Sequence, residues 1–458
     1  MLFQSWTFGL FFAGFYPVYL AVRKTRLRVL WLLAASYVFY GWLNPLYPLL
    51  VLWCTAVDYL AVTGMAKTRF RRSWLLLSLA SDLGVLGFFK YAGFVVETIN
   101  AVLGPLGAAW AIPKPGVLLP VGLSFFVFQS LTYTIGFYRG EVERETSFLR
   151  YAAFVACFAQ LLAGPIERAR NILPQLRGPA KIAPEDVADG LSLFVVGLFK
   201  KVVLADWLAL YVDKVYGAPS QYEAPALLLA TLAFSWQIYF DFSGYTDMAR
   251  GVARAIGIRL MLNFNHPYLA TGLGDFWRRW HISLSTWFRD YVYVPLGGNR
   301  HGVLATYRNM FLTMVISGLW HGATWGFVLW GAVHGLGRVL TRRMEESAFY
   351  RDRVPRAVKT LWVFSFVTLA WVFFRAEGIG QAWAILSRIA QFGWADPAFP
   401  WILLVWIIAV WAYQALCESP LRAVLRPAPV RIGLMVLLIL AVAIFAQSGT
   451  HEFIYFQF

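Results

Sequence analysis

Long apolar runs with almost no charged residues recur along this chain and limit what it can fold into. A helix that crosses a bilayer needs about 20 predominantly apolar residues, and runs approaching that length appear from residue 2 to residue 446. Charged residues make up only 14% of the 458 positions, whereas a soluble domain carries about 25%. So few charges cannot cover a water-exposed surface. The pattern therefore predicts an all-α polytopic membrane protein.

Twelve segments are candidate spans, and because several are short, about ten to twelve transmembrane helices are expected. The first run is followed, not preceded, by basic residues, so it is expected to be a membrane span with its N-terminus outside, not a cleavable signal. The candidate spans are Leu2–Val22, Val29–Trp42, Leu46–Thr63, Ser73–Val96, Val117–Tyr138, Val187–Val215, Pro225–Phe240, Val303–Trp320, Thr324–Leu340, Lys359–Phe374, Trp401–Cys417 and Ile432–Ala446.

The positive charge of the chain is distributed in short clusters between the apolar runs. The formal net charge is +16, yet the basic residues form no basic domain of the kind that binds nucleic acid. Clusters of this type are typical of the cytoplasmic loops of membrane proteins. The clusters lie at Arg23 to Arg28, Lys67 to Arg72, Arg168 to Lys181 and Arg338 to Arg356.

Two regions do not follow the simple pattern of spans and loops. Residues 151–164 form an apolar stretch with basic clusters on both sides, which is too short for two crossings, so a re-entrant segment is expected. The region from Asp241 to Arg300 mixes aromatic, charged and glycine residues and lacks an evident span; within it, Phe276–Val294 predicts an amphipathic or re-entrant helix. We interpret the whole chain, residues 1–458, as a single membrane-embedded domain with its catalytic core at residues 237–335.

Several kinds of chemistry lack their sequence patterns. The three cysteines, Cys54, Cys157 and Cys417, lie in apolar contexts without CxxC spacing, so no metal site is expected. A P-loop, a GxSxG elbow and an HExxH zinc motif are also missing from the sequence, which leaves ATP hydrolysis, serine hydrolase activity and zinc catalysis without support.

His321 is the most informative single residue, because it lies within some 35 mostly apolar positions. An ionisable side chain at such depth is costly and should face the protein interior or a wet cavity, and imidazole suits general-base chemistry near neutral pH. The alternative is a packing histidine, since Gly318, Gly322 and Gly326 recur at the four-residue spacing of close helix packing. His334 would lie on another face of a continuous helix and favours a packing role.

His281 is the second candidate, in a segment rich in arginine and tryptophan. On a helix it would share a face with Trp277 and Ser285. The arginines of this region could hold a phosphorylated ligand or pin an interfacial helix to anionic lipid; they are Arg278, Arg279, Arg289 and Arg300. Asp241 and Asp247 could serve a proton path or an ion site, or could orient their neighbours by hydrogen bonds.

Two long motifs carry a resemblance to a known family. Asp275-Phe-Trp-Arg-Arg-Trp-His, continuing to Trp287-Phe-Arg-Asp-Tyr-Val-Tyr-Val-Pro-Leu-Gly-Gly-Asn, is followed by Ser317-Gly-Leu-Trp-His-Gly. These stretches closely resemble the membrane-bound O-acyltransferase family, in particular its bacterial branch that serves alginate O-acetylation and teichoic acid D-alanylation. Further matches are Gln160-Leu-Leu-Ala-Gly-Pro-Ile-Glu-Arg, Tyr239-Phe-Asp-Phe-Ser-Gly-Tyr-Thr-Asp, Trp371-Val-Phe-Phe-Arg-Ala and Phe453-Ile-Tyr-Phe-Gln-Phe.

The resemblance implies a ring of tilted helices around a central funnel, with His321 at the catalytic position and His281 at the second active-site position. It implies acetyl-coenzyme A as the acyl donor, bound from the cytoplasm as a substrate, with no permanently bound cofactor. Acetyl would pass to periplasmic acetyltransferase partners and finally to an exopolysaccharide such as alginate or cellulose. Neutral His321 would accept the proton of an attacking hydroxyl while His281 orients or polarises.

Three alternatives remain open at the level of sequence. The resemblance also covers D-alanyl transfer to teichoic acid, which the terminal motif disfavours. A secondary transporter or flippase would use Asp241 and Asp247 for ion coupling. A non-catalytic scaffold of a secretion complex would need neither the histidines nor the aspartates.

Overall fold

The computed structural model describes residues 1–104, 111–391, 400–425, 427–446 and 453–454. Within these ranges the secondary structure is entirely helical, which confirms the all-α prediction. The chain divides into two compact units: residues 1–194 with 245–261, and residues 195–244 with 262–458. Residues 245–261 of the predicted catalytic core thus belong to the first unit; the single-domain interpretation stays a prediction.

The first unit is built from the helices at the start of the chain. A π-helical turn at Gly87–Tyr91 joins α4 to α5. Its helices are α1 (Trp6–Val22), α2 (Leu27–Gly41), α3 (Tyr47–Lys67), α4 (Arg71–Leu86), α5 (Ala92–Leu103), α6 (Leu123–Tyr138), α7 (Phe148–Ala156), α8 (Phe158–Leu161), α9 (Ala169–Leu176) and most of α10 (Pro184–Phe199).

The second unit begins in the last turn of α10 and holds the remaining helices, except that the end of α12 belongs to the first unit. Further π-helical turns lie at Lys200–Ala205, Arg289–Tyr293 and Phe349–Arg353. Its helices are α11 (Asp206–Gly217), α12 (Ala224–Ala255), α13 (Leu273–Arg279), α14 (Ile282–Phe288), α15 (Gly302–His321), α16 (Trp325–Glu346), α17 (Arg356–Arg375), α18 (Ile379–Ala390), α19 (Trp401–Glu418) and α20 (Ala428–Phe445).

Six helical segments of the described chain are long and apolar enough to cross a membrane. Leu-rich α20 is the most apolar of them, and none of its residues is buried against protein, as expected for a helix whose solvent is lipid. The chain is therefore a multi-pass membrane protein, although the expected count of ten to twelve spans is not confirmed. The six are Tyr47–Lys67, Arg71–Leu103, Ala224–Ala255, Arg356–Arg375, Trp401–Glu418 and Ala428–Phe445.

The span predicted at Pro225–Phe240 is longer than the sequence pattern indicated. Helix α12 continues to Ala255, so residues 241–255, which we expected to lack a span, are regular helix. Several of the polar side chains that broke the apolar pattern are buried inside the protein; Asp241, for example, is only 3% exposed. A hydropathy pattern underestimates the length of a helix that faces protein instead of lipid.

The stretch predicted to be re-entrant is two short buried helices. Helix α7 has nine residues and α8 has four, with a break at Cys157, whose backbone is not helical. Nine residues of α-helix span about 14 Å, less than half of a hydrocarbon core of about 30 Å. Neither helix can cross a membrane alone, and the broken backbone is buried in protein, where such irregularity is tolerated.

A buried carboxylate, Asp58, organises four helices of the first unit. It lies on α3 with no exposed surface. It accepts hydrogen bonds from Ser78 Oγ on α4 (2.6 Å), from Ser130 Oγ on α6, and from Tyr151 Oη on α7 (3.3 Å). Three hydroxyl donors on three helices thus meet one acceptor, which fixes their register.

We expect Asp58→Leu to lower the stability of the protein by about 3 kcal/mol, because three buried hydroxyls lose their acceptor. Asp58→Asn, which keeps one carbonyl oxygen, should lose less. Thermal unfolding in detergent, followed by tryptophan fluorescence, measures both. Equal melting temperatures for the leucine variant and the wild type would show that the cluster does not stabilise the unit.

Helices α15 and α16 of the second unit approach each other at glycines. A Cβ atom at Gly318 would lie 2.2 Å from the carbonyl oxygen of Phe327, and one at Gly331 would lie 2.4 Å from that of Met314. Gly322 and Gly326 do not continue a single stripe, because Gly322 lies in extended backbone after α15 and Gly326 lies on α16. The packing expected from the spacing is present at Gly318, but its partner is Gly331 on the next helix.

Candidate active site

His321 is the last residue of α15. Gly322 follows with extended backbone (φ −160°, ψ 148°), and α16 starts at Trp325. This break falls between the separate candidate spans Val303–Trp320 and Thr324–Leu340, so the comparison of His321 and His334 on a continuous helix does not apply. Glycine ends helices readily, so Gly322 carried the signal of this break. The imidazole lies at a helix end and is 3% exposed, in the protein interior as predicted.

Aromatic side chains surround the His321 ring. Its centroid lies 5.0 Å from that of Trp320, 5.1 Å from that of Trp330 and 5.5 Å from that of Phe374, all in edge-to-face arrangements. Edge-to-face packing is a favoured geometry for aromatic rings and holds each ring in one orientation. Trp330 and Phe374 were not singled out in the sequence, because aromatic residues are common throughout this chain.

His281 lies between two short helices, not on one helix. Helix α13 ends at Arg279, α14 starts at Ile282, and His281 has left-handed backbone angles (φ 41°, ψ 55°). The single helix predicted over Phe276–Val294, and the helical face expected to join His281 to Trp277 and Ser285, are therefore wrong. Left-handed backbone angles are uncommon in residues other than glycine and cost energy. No sequence pattern predicts them at His281.

Asn263 holds the bend at His281 in place. Its side-chain oxygen accepts hydrogen bonds from the backbone N–H (3.2 Å) and the Oγ (2.8 Å) of Ser283. Its backbone oxygen accepts from Ile282 N at 2.9 Å, and Asn265 N donates to the oxygen of Arg279 at 2.9 Å. Both sides of the bend are thus bonded to one short segment, residues 263–265, which compensates for the strained angles.

The structure brings the two predicted histidines together. The ring centroids of His281 and His321 are 6.3 Å apart with an interplanar angle of 52°. His281 is fully buried and packs edge-to-face on Phe242, with centroids 4.6 Å apart. Two imidazoles at this separation in a water-poor interior can both reach one small reacting group. Their catalytic roles stay predictions.

The four candidate arginines have different surroundings. Arg278 and Arg289 have 74% and 61% of their side chains exposed, and Arg300 is also exposed. Arg279 is instead engaged with carboxylates, 3.1 Å from Asp275 and in contact with Glu418. These carboxylates outweigh the effect of burial and raise the pKa of Arg279 above its ordinary value. Among the exposed arginines, Arg289 pairs with Asp290 at 2.8 Å and Arg278 lies 3.7 Å from Asp275. Ligand binding by the four arginines stays a prediction.

The remaining histidines lie outside the pair. His334 is fully buried, 4.8 Å from Trp330 and 5.1 Å from Trp277 between ring centroids, as expected for packing. His266 has left-handed angles before a short 3₁₀-helix, and His301 precedes α15. His451, like residues 455–458 of the terminal motif, falls outside the described residues.

A carboxylate that the sequence analysis missed, Glu345, binds the start of α13, the helix that precedes His281. Glu345 on α16 accepts from Leu273 N at the start of α13 (2.8 Å) and pairs with Arg338 (2.9 Å). A carboxylate at a helix N-terminus is favourable because it faces the positive end of the helix dipole. The spacing of 72 positions between Glu345 and Leu273 hides this contact from any local pattern.

We expect His281→Ala to lower kcat for acyl transfer more than it changes KM, because the ring lies beside His321, the proposed base. His281→Asn should preserve the fold better than alanine, since asparagine tolerates left-handed angles. Steady-state kinetics of both variants separate loss of the ring from loss of the bend. An unchanged kcat in His281→Asn would show that the His281 imidazole takes no part in the reaction.

Comparison with known proteins confirms the family resemblance over most of the chain. The model of the membrane-bound O-acyltransferase family, MBOAT, matches residues 63–380. The probable alginate O-acetylase AlgI of Azotobacter vinelandii is 41% identical over 404 residues, covering 86% of this chain and 79% of that protein. The peptidoglycan O-acetyltransferase of Helicobacter pylori is 34% identical, covering 82% and 76%. The teichoic acid D-alanyltransferase of Bacillus subtilis is 26% identical, covering 54% and 67%.

Proposed function

Because this chain belongs to the membrane-bound O-acyltransferase family, we propose that it is the membrane subunit of a polysaccharide O-acetylation system. It takes acetyl from cytoplasmic acetyl-coenzyme A and delivers it across the bacterial inner membrane. The observation that carries this proposal is the buried pair His281 and His321, with ring centroids 6.3 Å apart, in a chain of an acyltransferase family.

The reaction needs a base beside a carbonyl carbon. A hydroxyl oxygen attacks the thioester carbonyl, its proton passes to the neutral His321 ring, and the carbon–sulfur bond breaks. His321 then gives this proton to the thiolate leaving group, so that an ester and a thiol are formed and the neutral histidine is regenerated. His281 orients or polarises the reacting group from the other side.

The donor is supported by the chemistry of the exposed arginines. Coenzyme A carries phosphates, which guanidinium groups bind with two parallel hydrogen bonds. Arg278, Arg289 and Arg300 are exposed. Arg289 lies 2.8 Å from Asp290 and Arg278 lies 3.7 Å from Asp275, and exposed pairs of this kind are weak enough for a phosphate to replace them. Arg279 is less exposed and is held by both Asp275 and Glu418. The donor site thus uses three of the four predicted arginines.

The acceptor is an exopolysaccharide of the alginate or cellulose kind, reached through periplasmic acetyltransferase partners. Relatives that are named alginate O-acetylases are 39–41% identical to this chain. A peptidoglycan O-acetyltransferase at 34% favours carbohydrate hydroxyls as the common acceptor chemistry. Teichoic acid D-alanyltransferases match at 26–27% over about half of the chain, so D-alanyl transfer is the less favoured alternative.

The test is thioester cleavage by the purified protein in lipid nanodiscs supplied with acetyl-coenzyme A labelled in the acetyl group. Release of free thiol, dependent on an added acceptor or partner fraction, supports the proposal. Ion-driven uptake of a substrate into proteoliposomes without thiol release would favour a transporter instead. Acetyl content of each exopolysaccharide in a deletion strain identifies the acceptor.

A further inference from the structure

A charged triad is buried in the second unit, away from the two histidines in sequence. Lys201 Nζ lies 2.8 Å from Asp206 Oδ1 and 2.7 Å from Asp241 Oδ1. The three residues are 2%, 6% and 3% exposed. Buried charges are costly unless each is paired, so a lysine shared between two carboxylates in this interior is a specific arrangement that the catalytic proposal does not use.

The π-helical turn at residues 200–205 makes the first of these ion pairs geometrically accessible. Residues five apart on a regular α-helix point about 140° away from each other. In the π-turn, the backbone N–H of Asp206 instead donates to the oxygen of Lys201. This bond aligns residues five apart, so that the Lys201 ammonium and the Asp206 carboxylate meet on one side of the helix.

The second oxygen of Asp241 binds a distant segment of the chain. Asp241 Oδ2 accepts a hydrogen bond from the backbone N–H of Ile454 at 2.7 Å, across 213 positions. Phe453 and Ile454 are 1% and 3% exposed, so this short segment lies inside the unit. The carboxylate of Asp241 therefore joins the charged triad through one oxygen and the segment 453–454 through the other.

The same contacts lead to the His281 ring. Phe242 follows Asp241 on α12, lies 5.8 Å from Phe453 between ring centroids, and packs edge-to-face on His281 at 4.6 Å. The Phe242 ring thus has Phe453 as one neighbour and the imidazole as another. A shift of the segment would remove a neighbour of Phe242 and let that ring, and with it His281, change orientation.

We propose that Asp241 is a positioning residue for His281: held by Lys201, it fixes residues 453–454, whose packing on Phe242 sets the orientation of the imidazole. The effect of this positioning on turnover rests on the proposed function. The hydrogen bond from Ile454 N to Asp241, which we call the tether, does not. Both oxygens of Asp241 have protein partners, which gives this residue the orienting role that the sequence left open beside an ion or proton site.

Two variants test the tether by different atoms. Asp241→Leu removes the acceptor, and Ile454→Pro removes the N–H donor while leaving the charged triad complete. Asp241→Asn keeps an oxygen for Ile454 and serves as the conservative rescue. Asp213→Leu is the matched control, because Asp213 is a half-exposed carboxylate of the same unit, paired with Arg375 at 2.6 Å, and exposed pairs contribute little.

Hydrogen exchange of the peptide that contains Ile454, measured by mass spectrometry on protein in nanodiscs, reads the hydrogen bond directly. We expect slow exchange at Ile454 in the wild type, Asp241→Asn and the Asp213→Leu control, and fast exchange in Asp241→Leu. Proline has no amide hydrogen, so in Ile454→Pro the exchange of Phe453 is followed. Slow exchange in Asp241→Leu would overturn the tether, whether or not the protein cleaves thioesters.

Kinetics test the link from the tether to His281. We expect kcat for thioester cleavage to fall about tenfold or more in Asp241→Leu and Ile454→Pro, equivalent to the loss of about one hydrogen bond at the transition state. KM for acetyl-coenzyme A should stay within about twofold, since imidazole orientation affects chemistry more than donor binding. Fast amide exchange at Ile454 in Asp241→Leu together with an unchanged kcat would overturn the positioning role. Absence of thioester cleavage in the wild type would instead refute the proposed function.

Discussion

His321→Ala should reduce thioester cleavage by a factor of about 10²–10⁴, the usual contribution of a general base. His321 is the buried imidazole at the end of α15 that lies beside His281. Alanine removes the proton acceptor without adding volume. Because binding of acetyl-coenzyme A does not need the base, KM should change little while kcat falls. The measurement is steady-state release of coenzyme A thiol by protein in nanodiscs.

Two other histidines provide the controls for this result. His301 is exposed before α15, so His301→Ala should leave both activity and stability unchanged. His334 is fully buried among Trp277 and Trp330, so His334→Ala should lower the melting temperature through a lost aromatic contact and a cavity, with kcat per folded molecule retained. If His334→Ala lost turnover at full stability while His321→Ala kept it, the catalytic assignment would be reversed.

Gly318→Ala should prevent the second unit from packing as it does. The added methyl would lie 2.2 Å from the carbonyl oxygen of Phe327 and 3.1 Å from the backbone of Gly331. Backbone on a packed helix cannot move aside as a flexible side chain can, so α15 and α16 must separate. Overpacking of this kind costs about 1–3 kcal/mol or more, and the shift is transmitted to His321, three residues further along α15.

The expected result is a lower melting temperature together with a loss of turnover in the fraction that remains folded. Gly433→Ala is the matched control, because Gly433 lies on α20 with open space around its Cβ position, where alanine favours the helix. Thermal unfolding and thiol release are measured on the same preparations. A Gly318→Ala protein as stable as the Gly433→Ala protein would show that the two helices are not in close contact.

The sequence was most informative where a residue type conflicted with its surroundings. A histidine within an apolar run has few physical explanations, so the sequence alone places His321 in the interior. Apolar runs likewise indicated membrane helices, because the hydrocarbon core imposes a length on them. The alternation of apolar and basic stretches needed no knowledge of tertiary contacts.

The features that the sequence missed depend on contacts between distant residues. The bend at His281 requires left-handed backbone that Asn263 stabilises from 18 positions earlier. Helix α12 continues beyond the apolar segment, and Asp241 in that continuation pairs with Lys201 and accepts a hydrogen bond from Ile454 inside the protein. Local propensity cannot anticipate a partner far along the chain, and tertiary contacts override it.

The arginines illustrate the same limit for a ligand site. All four looked equivalent in the sequence, since a guanidinium suits phosphate wherever it lies. Glu418, 139 positions after Arg279, separates that arginine from the other three by binding it within the protein. The charge of a side chain can be read from its identity, but its availability depends on which partners the fold supplies.

The π-turn at residues 200–205 has a consequence for how this chain tolerates insertions and deletions. Removing one residue between Lys201 and Asp206 would change their spacing from five to four, and residues four apart also face each other on an α-helix. The ion pair would survive, whereas the side chains on either side of the turn would change phase by about 100°. We therefore expect relatives to differ in length here only when the helix faces on one side of the turn have been rebuilt as well.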